Sequence, residues 1–402
     1  MSPRLRSTSL CALLCAFVLS AHLAFAQSQW KEIPVGYNMP KSVMAAAPVS
    51  AVAAATTPFP KAPKTNRYAG QGRDMNRPWE IEFHGGGFFN TDSGSGNAFA
   101  LPTGTSFFGG NSLQVSSYMF GDGTSLFNQV SSATGISNTI TPLDTLLAHQ
   151  FGSRNNGPSL GVRFGRDLGP RFGIEFSVDW NTAAVEIRDS RLLGIQATAT
   201  SFANSFADLF SNSCGCSNQT LAVQSIRRSQ GSQLFWTGVV NVNLKTTGKT
   251  IPYLTFGGGT ISNLGPAPHA GILGFYAFDV GGPHAETDLV NIESVTSRTQ
   301  GVGVLGIGAK YFATSRWGLR LDVRDYVSPN ATNTLLSATP RVATLAPAEV
   351  IGPGTTPTLV FSNDPTLGPS SLSGPDVRRI RTFKGDGLDN QINLSVGVFY
   401  RF

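Results

Sequence analysis

The stretch that decides the fold is NQINLSVGVFYRF, residues 390–402. Ile392, Leu394, Val396, Val398, Tyr400 and Phe402 fall on one side of an extended chain. Gln391, Asn393, Ser395, Gly397, Phe399 and Arg401 fall on the other. Side chains on a strand alternate with a period of two. One face is therefore apolar along its whole length and closes in aromatics, while the other is mostly polar.

Working back from this strand, seven more segments behave alike. Trp79, Ile81 and Phe83 alternate with Glu80, Glu82 and His84. Leu160, Val162 and Phe164 alternate with Gly161, Arg163 and Gly165, and Phe172 to Trp180 alternates with Arg171, Gly173, Glu175, Ser177 and Asp179. Leu234, Trp236, Val240, Val242 and Leu244 share a face opposite Thr237, Asn241, Asn243 and Lys245. Trp317, Leu319, Leu321 and Val323 alternate with Gly318, Arg320, Asp322 and Arg324. Segments 251–261 and 301–312 also read as strands, with less regular faces that a bulge would explain.

The connections between the eight strands alternate strictly between long and short, beginning with a long one. DLGPR, KTTGKT and ATSR are the three short ones. A soluble sandwich gives no reason for this rhythm. An outer-membrane barrel does, with short turns on the periplasmic side and long loops outside. Eight strands with both ends in the periplasm give three turns and four loops. Only helices and closed barrels satisfy every backbone group in hydrocarbon. No segment after residue 26 offers the roughly 20 consecutive apolar residues of a spanning helix. The fold class expected is thus all-β: a closed antiparallel eight-stranded transmembrane barrel.

Composition agrees. Only 13% of residues are charged, against about 25% in a typical soluble domain. Residues 1–26 carry Arg4 and Arg6, an apolar run and Ala24-Phe25-Ala26, the pattern of a cleaved signal peptide. Residues 27–78, rich in Ala and Pro, read as a disordered periplasmic linker, and 79–402 as the barrel. After cleavage 28 basic residues face 24 acidic ones, a mild +4 with no basic cluster, so no nucleic-acid partner is expected. Cys214 and Cys216 remain, either as a loop cystine or as two thiols. A metal site needs more ligands than these two, so neither metal nor cofactor is expected.

From Trp79 to Phe402 the chain resembles the small outer-membrane barrels of the OmpA/OmpX type. INLSVGVFYRF carries the resemblance. It implies that Tyr400 and Phe402 form the terminal signal read by the barrel-assembly machinery. The larger members continue into a peptidoglycan-binding domain where this sequence stops at Phe402. The loops are long for that family, with room for an extra hairpin around SLQVSSYMF or PTLVFSN.

Two motifs point elsewhere. His84-Gly85-Gly86-Gly87 matches a lipase oxyanion-hole loop, and Gly157-Pro158-Ser159-Leu160-Gly161 matches the G-x-S-x-G nucleophile elbow. The elbow, however, needs a strand before it and a helix after it, and here a strand follows. The glycine triplet recurs without His as Gly257-Gly258-Gly259. Curvature and crowding in a small barrel explain both triplets.

Assigning faces puts Arg163, Arg171, Lys245, Arg320, Arg324 and Arg401 inside, with Glu80, Glu82, Asp167, Glu175, Asp179 and Asp322, and His84 beside them. Equal numbers of opposite charge suggest a paired network that fills the lumen, since eight strands enclose little more than side chains. The function expected is structural or surface interaction by a monomeric, non-enzymatic barrel of the cell outer membrane. Its partners would be outer-membrane lipid, the assembly machinery and an unidentified extracellular ligand. A narrow channel is the first alternative, and a membrane-embedded hydrolase or acyltransferase the second.

Overall fold

The computed structural model describes residues 76–107, 112–229, 231–344, 349–352, 357–362 and 368–402. The expected signal peptide, and the expected linker up to residue 75, lie outside the described residues.

Strand β1 (Trp79–Thr91) leads into a long connection that carries β2 (Gly96–Ala98), β3 (Thr105–Phe107), β4 (Ser112–Gln114), helix α1 (Gly121–Ala133), the single turn α2 (Asp144–Leu147) and β5 (Gly152–Arg154). A hairpin of β6 (Gly157–Asp167) and β7 (Phe172–Asn181) follows. Next come β8 (Val185–Ile187), helix α3 (Asp189–Ser213) and β9 (Asn218–Arg227), then the hairpin of β10 (Ser232–Asn243) and β11 (Thr250–Leu264). β12 (His269–Asp279) and β13 (Pro283–Thr296) precede the third hairpin, β14 (Thr299–Phe312) and β15 (Trp317–Pro329). The last long connection holds β16 (Thr332–Thr344), β17 (Glu349–Ile351), β18 (Leu359–Phe361) and β19 (Val377–Gly385) before the closing strand β20 (Leu388–Arg401).

β1, β6, β7, β10, β11, β14, β15 and β20 form a closed barrel in which each strand pairs with the next one along the chain. Closure is made by β1 and β20, paired antiparallel from Glu80 opposite Arg401 to Thr91 opposite Asn390. The apolar face of each strand turns outward. Phe83, Leu160, Leu305, Ile307 and Val396 are all more than half exposed, which in water would be a severe penalty repeated around the wall.

Segments 251–261 and 301–312 contain no bulge: the registers of β11 with β14 and of β14 with β15 run without a shift. Their faces are irregular because apolar Ile251, Ile261, Val302 and Val304 point into the lumen.

All three short turns leave the long connections at the opposite end, where they fold together into a cap. Its six-stranded antiparallel sheet has the order β2, β19, β16, β13, β12, β9. The inner face, with Ile272, Tyr276, Phe278, Val290, Ile292 and Leu336, packs against Phe127 of α1 and Phe202, Phe206 and Phe210 of α3. α3 buries Ile195, Ala199, Phe202, Phe206, Leu209 and Phe210, the spacing of one helical stripe. Phe206 stacks on Tyr276 at 4.1 Å and Phe210 on Phe278 at 4.2 Å. Cys214 and Cys216 form a disulfide at the corner between α3 and β9. SLQVSSYMF and PTLVFSN do contain strands, β4 paired with β3 and β18 paired with β17, but these belong to the cap and add nothing to the barrel.

Candidate functional site

Because side chains alternate, every second residue of eight strands meets at the barrel axis, and the lumen is built in layers. At the turn end Ile251, Phe312 and Phe399 form an apolar plug. At the cap end Phe88, Phe235, Val239, Ile261, Val302, Val304 and Tyr326 form a second one. Phe88 and Phe235 stack there at 4.8 Å, and Tyr326 closes on both, 5.5 and 5.0 Å away.

Between the plugs lies the charge network. Arg320 reaches Glu175 at 2.6 Å, Glu82 at 3.0 Å and Asp322 at 2.9 Å. Arg163 pairs with Glu82 at 2.9 Å and with Asp322, and Arg324 pairs with Glu175 at 2.6 Å. His84 contacts Asp179 and Glu82. Toward the turn end Lys310 holds Glu80 at 2.7 Å, and Arg401 holds Asp167 at 2.6 Å. Buried charges of this density persist only when each finds a partner, because an unpaired one carries a desolvation penalty of several kcal/mol.

Two residues expected in the lumen are elsewhere. Arg171 and Lys245 are exposed, in the turns 168–171 and 244–249, because β7 begins at Phe172 and β10 ends at Asn243. Lys310 and Tyr253 are inside instead. Tyr253 donates to Asp322 and receives a hydrogen bond from Arg320 Nε. A lysine in phase with Val302, Val304 and Phe312 was the available signal for Lys310.

The two motifs have structural settings. Ser159 lies within β6, with no turn or helix around it, and accepts a hydrogen bond from Asn393 at 3.0 Å. Gly86 lies where a Cβ would stand 2.0 Å from the Leu394 carbonyl oxygen, and at Gly259 it would stand 1.9 Å from that of Trp236. Both glycine triplets let neighbouring strands approach.

Above the cap-side plug is a cavity of about 30 Å³ lined by Gln150, Arg154, Gln233, Gln300, Thr332 and Gln391, room for water and little more. Within the cap, two carboxylates lie on the buried face of β13. Glu286 accepts from Tyr276 and Ser370. Asp288 accepts from the Tyr118 backbone at 2.7 Å and from Ser117 at 3.0 Å, and its other oxygen has no hydrogen-bond partner among the described residues. Burial among apolar groups pushes both carboxyls up to about 7. Among the described residues no group of three or more His, Cys, Asp or Glu side chains is arranged to hold a metal ion.

No known protein family matches the chain, and no curated protein is similar to it. Solved structures similar to it include a major outer membrane protein from Thermus thermophilus, at 11% identity over 81% of this chain and 98% of that one, TM-score 0.27. The toluene transporter TodX of P. putida is 11% identical over 81% and 90%, TM-score 0.17. The outer membrane protease OmpT from Escherichia coli is 7% identical over 81% and 97%, TM-score 0.21. At such scores no residue and no activity carries over.

Proposed function

We propose that the chain is an outer-membrane barrel of the small, filled OmpA/OmpX kind whose lumen does not conduct, and whose work is surface interaction through its cap. One observation carries the reading: two apolar plugs and a charged layer occupy the lumen, while all four long connections build a single folded body outside it. The outward apolar wall supports a place in a bilayer. The leader pattern at 1–26 and the terminal Tyr400 and Phe402 support export and assembly in the outer membrane. In this reading the protein is a monomer without catalytic activity, and its ligand meets the cap.

The test is a liposome swelling assay on the refolded protein, run beside cold and boiled gels. A band that moves faster unboiled, with no sugar entry above protein-free liposomes, is expected. Sugar entry would replace this reading with the channel. An unshifted band would remove the barrel from the membrane altogether.

A further inference from the structure

The turn end of the barrel is a rim of unpaired cations. Arg166, Arg171, Lys245, Lys249 and Arg316 are all exposed, and none forms an ion pair among the described residues. They come from all three turns and their flanking strand ends. The carboxylates near this end are already engaged, Asp167 by Arg401 and Glu80 by Lys310. On the cap side Arg188 pairs with Asp92 at 3.8 Å and Arg379 with Glu293 at 2.8 Å, while Arg227, Arg228, Arg298, Arg341, Arg381 and Lys384 are exposed there too, so it is the aromatic belt that sets the turn end apart.

Beside the cations runs an aromatic belt. Trp79 stacks on Phe164 at 5.2 Å, Phe164 meets Phe402 at 6.4 Å, and Trp317 meets Tyr400 at 4.8 Å. The Arg166 guanidinium lies 4.8 Å from the Trp79 ring centre, on the outward face. Arg316 directly precedes Trp317, and exposed Leu168 and Phe172 flank Arg171. Aromatic side chains of this kind settle at the boundary between hydrocarbon and headgroups. The cations therefore stand at headgroup level.

We infer that this rim binds the phosphate groups of anionic glycerophospholipids in the leaflet at the turn end. The inference rests on the membrane-spanning reading above. A guanidinium offers a planar fork of N–H donors that matches phosphate oxygens, and an ammonium offers a compact charge. A leaflet, unlike a peptide, reaches all three turns at once, which fits cations spread around the rim rather than gathered in a patch.

The experiment uses the full mature chain refolded into phosphatidylcholine vesicles with a minor fraction of phosphatidylglycerol. Spin-labelled lipids of each type report which is held at the protein surface, and the heat-shifted band reports insertion. Phosphatidylglycerol should be favoured by about five-fold, the scale of one such contact, and the preference should fade in high salt. Combined Arg166→Gln, Arg171→Gln, Lys245→Gln, Lys249→Gln and Arg316→Gln should bring it close to one. Should that variant fail to insert, Arg171→Gln with Lys249→Gln, both outside the strands or at their edge, should lower it partway. An inserted wild-type barrel without preference, or a preference that salt and substitution leave intact, overturns the inference. So does abolition by inorganic phosphate at matched ionic strength, which would mark a free-anion site. A protein that gives no heat-shifted band in either vesicle overturns the membrane reading, and this inference with it.

Discussion

Arg320 and Glu175 join opposite walls of the barrel: β15 and β7 stand four strands apart in either direction around the ring, yet Nη1 of one lies 2.6 Å from Oε2 of the other. The pair is a strut across the axis. Glu82 and Asp322 share the same guanidinium, so the strut is also the hub of the charged layer.

Removing the Arg320 side of such a hub leaves Glu82, Glu175 and Asp322 to share Arg163 and Arg324, a buried surplus of negative charge. Arg320→Gln should destabilise the barrel by about 3–5 kcal/mol. The urea midpoint of the heat-shifted band measures this. Adding Glu175→Gln should recover part of the loss, because it lowers the surplus of negative charge left in the layer. A single variant as stable as the wild type would show that the network is dispensable.

The layers make independent barriers. Phe88→Ala with Phe235→Ala empties the cap-side plug and should cost about 3 kcal/mol or more for each ring. Arg163, Arg320 and Arg324 still cross the lumen below it. Planar-bilayer current should therefore stay at the protein-free level, and steady current in this variant would mean that the charged layer is no seal.

Glu286 and Asp288 give the cap a pH dependence. Their carboxyls are held near 7 in the fold, above the ordinary range near 4. A raised folded value favours the protonated fold. Its contribution is complete below about 4, declines as pH rises, and is gone above about 7. Amide exchange in β12 and β13 should thus be slower at pH 5 than at pH 8 once the intrinsic rate is corrected. Glu286→Gln with Asp288→Asn should flatten the difference. Equal protection at both values in the wild type would contradict the raised carboxyls.

Glycine 86 is a matter of clearance. In Gly86→Ala the new methyl would stand 2.0 Å from the Leu394 carbonyl oxygen, at the seam where β1 meets β20. The folded yield on cold gels should fall sharply. Gly238→Ala serves as the control, since a Cβ there meets nothing within 4 Å. Equal yields would restore interest in the HGGG run as something other than a packing device.

Much of the barrel was readable because its wall is two-sided: an outward-facing residue and a lumen-facing residue differ in polarity, and the period of two survives. The errors lie at the ends and in the plugs. Arg171 and Lys245 continue the alternation by one step beyond the strand, where no wall remains to fix a face. Ile251, Val302 and Val304 blur it because a plug must be apolar inside a wall that is apolar outside.

The cap was not readable for the opposite reason. In HAGILGFYAFD both faces of β12 carry large apolar groups, among them Ile272, Tyr276 and Phe278 against Leu273 and Phe275. β13 inverts the usual rule by burying Glu286 and Asp288. α3 passes for a polar loop, since Ser, Thr, Asn and Ala fill the spaces around its phenylalanines. The lumen site was partly legible through its charges and illegible through Lys310 and Tyr253, whose phase depended on strands with irregular faces.

The cap sheet has one further consequence, for the order of events in biogenesis. β2 follows the first barrel strand, β19 precedes the last, and the two are neighbours in one sheet. No single connection contains a complete core, for each contributes only part of one. On the membrane-spanning reading proposed above, the four segments therefore cross the envelope as unfolded threads. The cap is finished only when the eighth strand has arrived, so its completion reports that the whole chain is in place.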